Sequence, residues 1–239
     1  MSEWFESWFG QAYIDLYPHR DEAEAEHAID LISRTASTRK VDRVLDLACG
    51  AGRHSRALAD RWWTSGLDLS EVLLRLAHQE QSPASFVRGD MRVLPYANEA
   101  FDLVVNLFTS FGYFETDEEH VLVFDEVARV TAVGGTFVLD FLNAGRVLTT
   151  LVPYDERVIG GQVIEQTRTI TDDGCYVHKI IRIRGEHRTF VERVRLFTPG
   201  ELTRMMENAG FAISACYGDY VASPLQRHSP RVILFGTRK

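Results

Sequence analysis

Residues 43–53 read Arg43-Val44-Leu45-Asp46-Leu47-Ala48-Cys49-Gly50-Ala51-Gly52-Arg53. The first five make a short apolar run, two glycines follow, and a helical pattern then runs from about His54 to Trp62. Glycine accepts left-handed backbone and lets other atoms approach closely, so the stretch is a strand, a tight loop and a helix. A dinucleotide fingerprint would continue as G-x-G-x-x-G, with a helix N-terminus free for pyrophosphate. Here it is G-x-G-x-x-S, ending at Ser55, with Asp46 just ahead. A diphosphate is a poor guest beside that carboxylate. A cationic ligand carrying an amino acid group suits it better.

The same unit recurs downstream. Residues 64–68 read as a second strand, Ser70 caps a helix over 71–79, and residues 85–88 and 101–106 read as third and fourth strands. Thr116 and Glu119 form a capping box for a helix running to about Val130, and Gly134-Gly135 turns the chain into a fifth strand over 136–141. Strands separated by helices need crossover connections, hence a mostly parallel sheet with helices on both faces, a doubly wound α/β fold.

Upstream, an aromatic segment (Trp4, Phe5, Trp8, Phe9, Tyr13, Tyr17) ends at Pro18, and a helix starts at Asp21 with Glu24 in capping-box position. Two leading helices are expected. Residues 143–197 alternate β-branched and charged side chains around Asp172-Asp173-Gly174, the pattern of antiparallel strands. A last helix over 199–209, capped by Thr198 and Glu201, leads to strands over 211–217 and 231–236. The expected organisation is one domain: a helical lid over 1–40, a ligand-binding core over 41–142, an antiparallel β insertion over 143–197, and a closing helix with two strands over 198–239.

A net charge of -8 argues against a large nucleic-acid footprint, which draws on clustered cations. Arg182, Arg184, Arg188, Arg193 and Arg195 do gather, but among apolar residues, as on the solvent face of strands. Cys49, Cys175 and Cys216 include no C-x-x-C pair, and the start has no signal-peptide pattern, so a cytoplasmic location is expected. Neither H-E-x-x-H nor a Cys/His cluster occurs, so no metal is expected.

Ligands of doubly wound sheets lie beyond the carboxyl ends of the central strands. The second strand ends in Gly66-Leu67-Asp68, where one carboxylate can accept from two ribose hydroxyls. The third leads to Gly89-Asp90-Met91, an acceptor for an adenine amino group beside a side chain that can cover the ring.

Together, the Asp46 to Gly52 motif, Asp68, Asp90 and the strand over 101–106 resemble the successive motifs of class I S-adenosylmethionine-dependent methyltransferases, over about residues 41–141. The resemblance implies a seven-stranded Rossmann-like sheet, S-adenosyl-L-methionine as cofactor and S-adenosyl-L-homocysteine as product. It implies cofactor contacts at Asp46, Leu47, Ala48, Gly50 and Gly52, at Asp68 and Leu69, at Asp90 and Met91, and at Asn106 and Leu107 beside the transferring methyl. The stretch Asn106-Leu-Phe-Thr-Ser-Phe-Gly-Tyr113 is similar to small-molecule methyltransferases acting on amino-sugar nitrogens and unlike the N-P-P-Y signature. That implies a small-molecule acceptor methylated at N or O by in-line displacement, with no membrane or nucleic-acid partner.

In those enzymes the insertion covers the active site and often joins subunits, which implies a homodimer through it. Those enzymes have a histidine near the position of Tyr113, a departure here. Tyr113 is a candidate proton carrier because its loop leaves the fourth strand beside the expected methyl. His19 is another in the lid, and Tyr13 there is a candidate cofactor contact. Each aromatic serves equally as a packing residue. The alternatives are an RNA or protein methyltransferase, a nicotinamide-dependent oxidoreductase, and a noncatalytic S-adenosylmethionine-binding protein.

Overall fold

The computed structural model describes residues 3–17, 22–36, 40–80 and 82–239. In chain order the elements are α1 (Trp4–Trp8), α2 (Gln11–Leu16), α3 (Glu22–Thr35), β1 (Arg43–Leu47), α4 (Arg53–Ala59), β2 (Trp63–Asp68), α5 (Glu71–Gln79), β3 (Ser85–Arg88), β4 (Phe101–Asn106), α6 (Asp117–Val130) and β5 (Thr131–Leu142). There follow α7 (Ala144–Thr150), β6 (Tyr154–Ile159), β7 (Gln162–Ile170), β8 (Tyr176–Ile183), β9 (Thr189–Arg195), α8 (Pro199–Asn208), β10 (Phe211–Tyr217) and β11 (Arg231–Arg238).

Seven strands form one sheet in the order β10-β11-β5-β4-β1-β2-β3, parallel from β5 to β3 and antiparallel where β11 joins β5 and β10. The strand order reverses between β1 and β4, which opens a crevice at their carboxyl ends. β4 is buried along its whole length because helices cover both faces, and from Leu103 to Val105 its side chains alternate between two cores. Leu103 and Val105 meet Ile29 and Ile32 of α3 and Leu58 of α4. Phe101 and Val104 belong to the other core, with Val123 and Phe124 of α6 and Leu202 and Met206 of α8. β11 divides in the same way, Ile233 and Phe235 to the first core, Val232 and Leu234 to the second.

Local signals act where the sequence places them. The Ser70 side chain accepts from Leu73 N, and Thr116 with Glu119 and Thr198 with Glu201 form complete capping boxes. β6 to β9 form a separate antiparallel sheet in sequence order. The doubly wound α/β fold with an antiparallel insertion is thus present.

Three details differ from expectation. The aromatic segment makes two short helices, broken at Gly10, so among the described residues three helices precede β1 rather than two. The expected start of the third at Asp21 lies outside the described residues. β5 begins at Thr131 and carries an irregularity: Phe101 pairs with Thr131 but Leu103 with Thr136, and Gly134 takes φ +75° in between. The insertion opens with α7 instead of a strand. Asn143 caps it through Gly145 N, while its amide donates to the carbonyls of Gln226 and Ser229. This helix buries only Ala144, so its sequence carries no apolar stripe to announce it.

Candidate active site

The ends of β1, β2, β3 and β4 enclose a cavity of about 300 Å³, roofed by the aromatic side chains of α1 and α2. The loop after β1 is shaped by left-handed residues at Ala48, Gly50 and Gly52. At Gly52 a Cβ would lie 2.9 Å from the Phe86 ring and 3.0 Å from Ala77, so a side chain has no room. A Cβ at Gly50 would instead make an ordinary contact with Leu73 at 3.9 Å, and the Gly50 N–H donates to Asp68 Oδ2 at 2.8 Å. Asp68 Oδ1 accepts from Ser70 N at 2.8 Å. The carboxylate therefore pins the loop after β1 to the start of α5 while it lines the cavity. Burial raises its carboxyl above the ordinary range, and these backbone donors oppose the rise.

Of the residues expected to touch a cofactor, the structure brings Tyr13, Ala48, Gly50, Asp68, Leu69, Asp90, Met91 and Leu107 into this one wall, with Tyr113. Asp46, Leu47, Gly52 and Asn106 stand behind it. Asp46 is only 1% exposed and accepts from Ser55 Oγ at 2.6 Å, which braces the start of α4. Burial pushes its carboxyl up to about 7, against the hydroxyl's hydrogen bond. Leu47 is core, and Asn106 donates to the carbonyls of Leu47 at 3.0 Å and Ser110 at 3.3 Å, holding β4 to β1. None of these four lines the cavity wall itself. Asp46, Leu47 and Asn106 sit within strands buried between helices, and Gly52, at the start of α4, packs against Phe86 and Ala77. His19 lies outside the described residues.

Asp90 lines the cavity, but Arg92 claims its oxygens. Arg92 donates to them through Nε at 3.1 Å, Nη2 at 2.7 Å and its backbone N at 2.8 Å. The same guanidinium reaches Glu3 ahead of α1 and Glu119 in α6. Although burial opposes it, Arg92 holds the Asp90 carboxyl below its ordinary range.

The loop after β4 carries two consecutive left-handed residues without glycine, Phe108 (φ +58°) and Thr109 (φ +62°). Tyr113 closes the loop by donating its hydroxyl to Thr109 O at 2.6 Å, and its own carbonyl accepts from Trp4 Nε1 at 3.1 Å. On the far side of Phe108 and Tyr113 lies a second chamber, of about 530 Å³, between this loop, α7 and the antiparallel sheet. Arg168, Lys179, Glu192 and Arg231 line it. Lys179 pairs with Glu192 at 3.4 Å, and burial lowers its ammonium pKa.

Sequence reasoning passed over Arg53, which lines the cavity and lies with its guanidinium 4.7 Å from the Phe108 ring centre. It closes the glycine motif, but nothing local shows which way it turns. It also passed over Asp140, whose signal was present: an acid within the apolar run of β5.

A family model described as a methyltransferase domain matches residues 44–135. The dTDP-3-amino-3,4,6-trideoxy-alpha-D-glucopyranose N,N-dimethyltransferase of Streptomyces venezuelae is 34% identical over 206 residues, 82% of this chain and 85% of the relative. Among solved structures, DesVI of Streptomyces venezuelae superposes with a TM-score of 0.70 at 25% identity, over 95% of this chain and 97% of that one. The CcbJ methyltransferase of Streptomyces caelestis does so with a TM-score of 0.80 at 19% identity, over 98% of each, a likeness of fold.

Proposed function

Because this chain belongs to the class I S-adenosylmethionine-dependent methyltransferases, we propose that it methylates a nitrogen or oxygen of a small molecule held in the chamber beside the antiparallel sheet. One observation carries the proposal: Phe108 and Tyr113 line both the cavity at the strand ends and that chamber. A donor in the first and an acceptor in the second would meet at these two side chains. Both volumes suit small ligands.

The cavity's donor set fits the cofactor. Asp68 stands ready to accept from ribose hydroxyls, Gly50 leaves room where a side chain would intrude, and Met91 and Leu69 offer apolar cover. Asp90 would share its carboxylate between Arg92 and an adenine amino group. Arg53 and Tyr13, at the glycine loop and the roof, are suited to the amino acid end.

When bound, S-adenosylmethionine supplies a methyl group already activated by its sulfonium. That leaves alignment and exclusion of water as the chain's tasks. The aromatic roof of Phe5, Phe9 and Tyr13 does the excluding. Tyr113 has committed its proton to Thr109 O, so its oxygen can accept a hydrogen bond from an incoming N–H or O–H and orient the nucleophile. This favours Tyr113 as an aligning group over a general base.

The relative's printed substrate makes amino sugars the first acceptors to try. Cys49, Cys175 and Cys216 are all unpaired, which supports a reducing, cytoplasmic setting. The test is release of S-adenosylhomocysteine from S-adenosylmethionine with a panel of nucleotide-linked amino sugars, simple amines and phenols. At least one member should raise it above the acceptor-free rate. If none does while the cofactor binds in calorimetry, and RNA does instead, the small-molecule reading fails.

A further inference from the structure

Left-handed backbone is costly for residues with a Cβ, and two in succession persist only where their surroundings hold them. At Phe108 and Thr109 the holding group is Asp140 of β5, a carboxylate with no exposed surface. Its Oδ2 accepts from Phe108 N at 2.9 Å and from the Tyr220 hydroxyl at 2.6 Å. Its backbone carbonyl accepts from Thr109 N at 3.0 Å. Arg231, the first residue of β11, donates to Asp140 Oδ1 at 2.6 Å and to Thr109 Oγ1 at 3.0 Å. The Arg231 guanidinium also lies 5.2 Å from the Phe108 ring centre, to which Arg53 contributes a second cation. Burial and the neighbouring carboxylate keep the Tyr220 phenol protonated, a donor.

We propose that Asp140 is a positioning residue for methyl transfer, holding Phe108 and Thr109 left-handed so that the Phe108 ring and the Tyr113 hydroxyl stand between donor cavity and acceptor chamber. The inference rests on the reading that transfer crosses this partition. A buried ion pair seldom outperforms apolar packing as a source of stability, whereas selecting one backbone conformation is a use to which its directional bonds are suited. The chain of contacts is continuous: the Asp140 carboxylate holds Phe108 N directly and Thr109 through Arg231, and the Thr109 carbonyl holds Tyr113.

The test compares the full wild-type chain with Asp140→Asn, Tyr220→Phe and the double variant Asp140→Asn/Thr109→Gly. The acceptor is the panel member turned over fastest by the wild type. Asp140→Asn should lower kcat at least tenfold while the calorimetric Kd for S-adenosylhomocysteine changes less than threefold. Tyr220→Phe, which removes one bond, should lower kcat two- to fivefold and serves if Asp140→Asn does not fold. Glycine takes the left-handed conformation unaided, so Thr109→Gly should recover at least threefold of the lost kcat, which a merely structural role would not allow. Wild-type turnover in both single variants, or parallel loss of kcat and cofactor affinity, overturns the proposal. A crystal structure of Asp140→Asn decides it even if no acceptor is found. Positive φ retained at both residues overturns positioning, whereas departure of either supports it and leaves only the proposed function in question.

Discussion

The loops after β1 and β4 lie side by side at the crevice, and both turn on left-handed backbone. The first obtains it largely from glycine, at Gly50 and Gly52. The second obtains it from Phe108 and Thr109, held by Asp140 and Arg231, which are far away in sequence. Beneath each loop is a buried carboxylate. Asp46 rests on the Ser55 hydroxyl, Asp140 on the Arg231 guanidinium. One backbone requirement is thus met by the freedom of a residue in one loop and by tertiary hydrogen bonds in the other. The second solution brings side chains to a place where glycine would bring none.

The sharpest way to break this comparison is Gly52→Ala. Its Cβ would meet Phe86 at 2.9 Å on top of the left-handed penalty. The cost should be about 3 kcal/mol, a fall in Tm of roughly 6–12 °C. A thermal scan matching the wild type would show that the loop can relax.

Asp68→Ala removes the acceptor that pins Gly50 N and Ser70 N, together with the proposed ribose contacts. Cofactor affinity should drop by roughly 2–3 kcal/mol, about 30- to 150-fold. Unchanged binding in calorimetry would free Asp68 from that role.

Asp46 is open to a test by pH. Asp46 has its ordinary value of 3.8 raised to about 7 in the fold, so between these values the native chain keeps a proton that the unfolded chain has lost. Stability from this group falls as pH rises from about 4 to about 7 and falls no further above. Asp46→Asn cannot ionise and should flatten the decline by about 2 kcal/mol between pH 5 and 7. Parallel curves for variant and wild type in denaturant titrations would refute the assignment.

Gly50→Ala would make only an ordinary contact with Leu73, at 3.9 Å, and should cost about 1 kcal/mol, the backbone penalty alone. Smallest is Thr109→Gly in the wild-type background. Relief of left-handed strain offsets loss of the Arg231 bond and added chain entropy, so Tm should stay within about 3 °C. A larger fall would mean that the Thr109 side chain, and not its backbone, anchors the loop.

Legibility in the sequence follows the same division. The glycine loop could be read because the requirement and its solution occupy neighbouring residues. Ser70, Thr116 and Thr198 could be read as caps because a helix end is satisfied within three residues. The irregularity in β5 hid because Gly134-Gly135 looks like any turn, and only pairing with Phe101 and Leu103 makes it part of a strand. Asp90 was placed at the cavity, but its clamp by Arg92 also engages Glu3 and Glu119, distant residues that no motif connects. Asp46 was assigned to a ligand because an acid on a strand before a glycine loop looks functional. That it also accepts from Ser55, at the start of α4, shows only in the fold.

The sequence by itself determined the alternation of strands and helices, the helix ends, the antiparallel insertion and the presence of acids near three successive strand ends. Those depend on periodicity and on bonds between near neighbours. Which of those acids reaches the cavity, and what holds the loop between cavity and chamber, only the tertiary structure decided. A side chain's outlook depends on which strands become neighbours, and Asp140 meets Arg231 only when β11 pairs with β5.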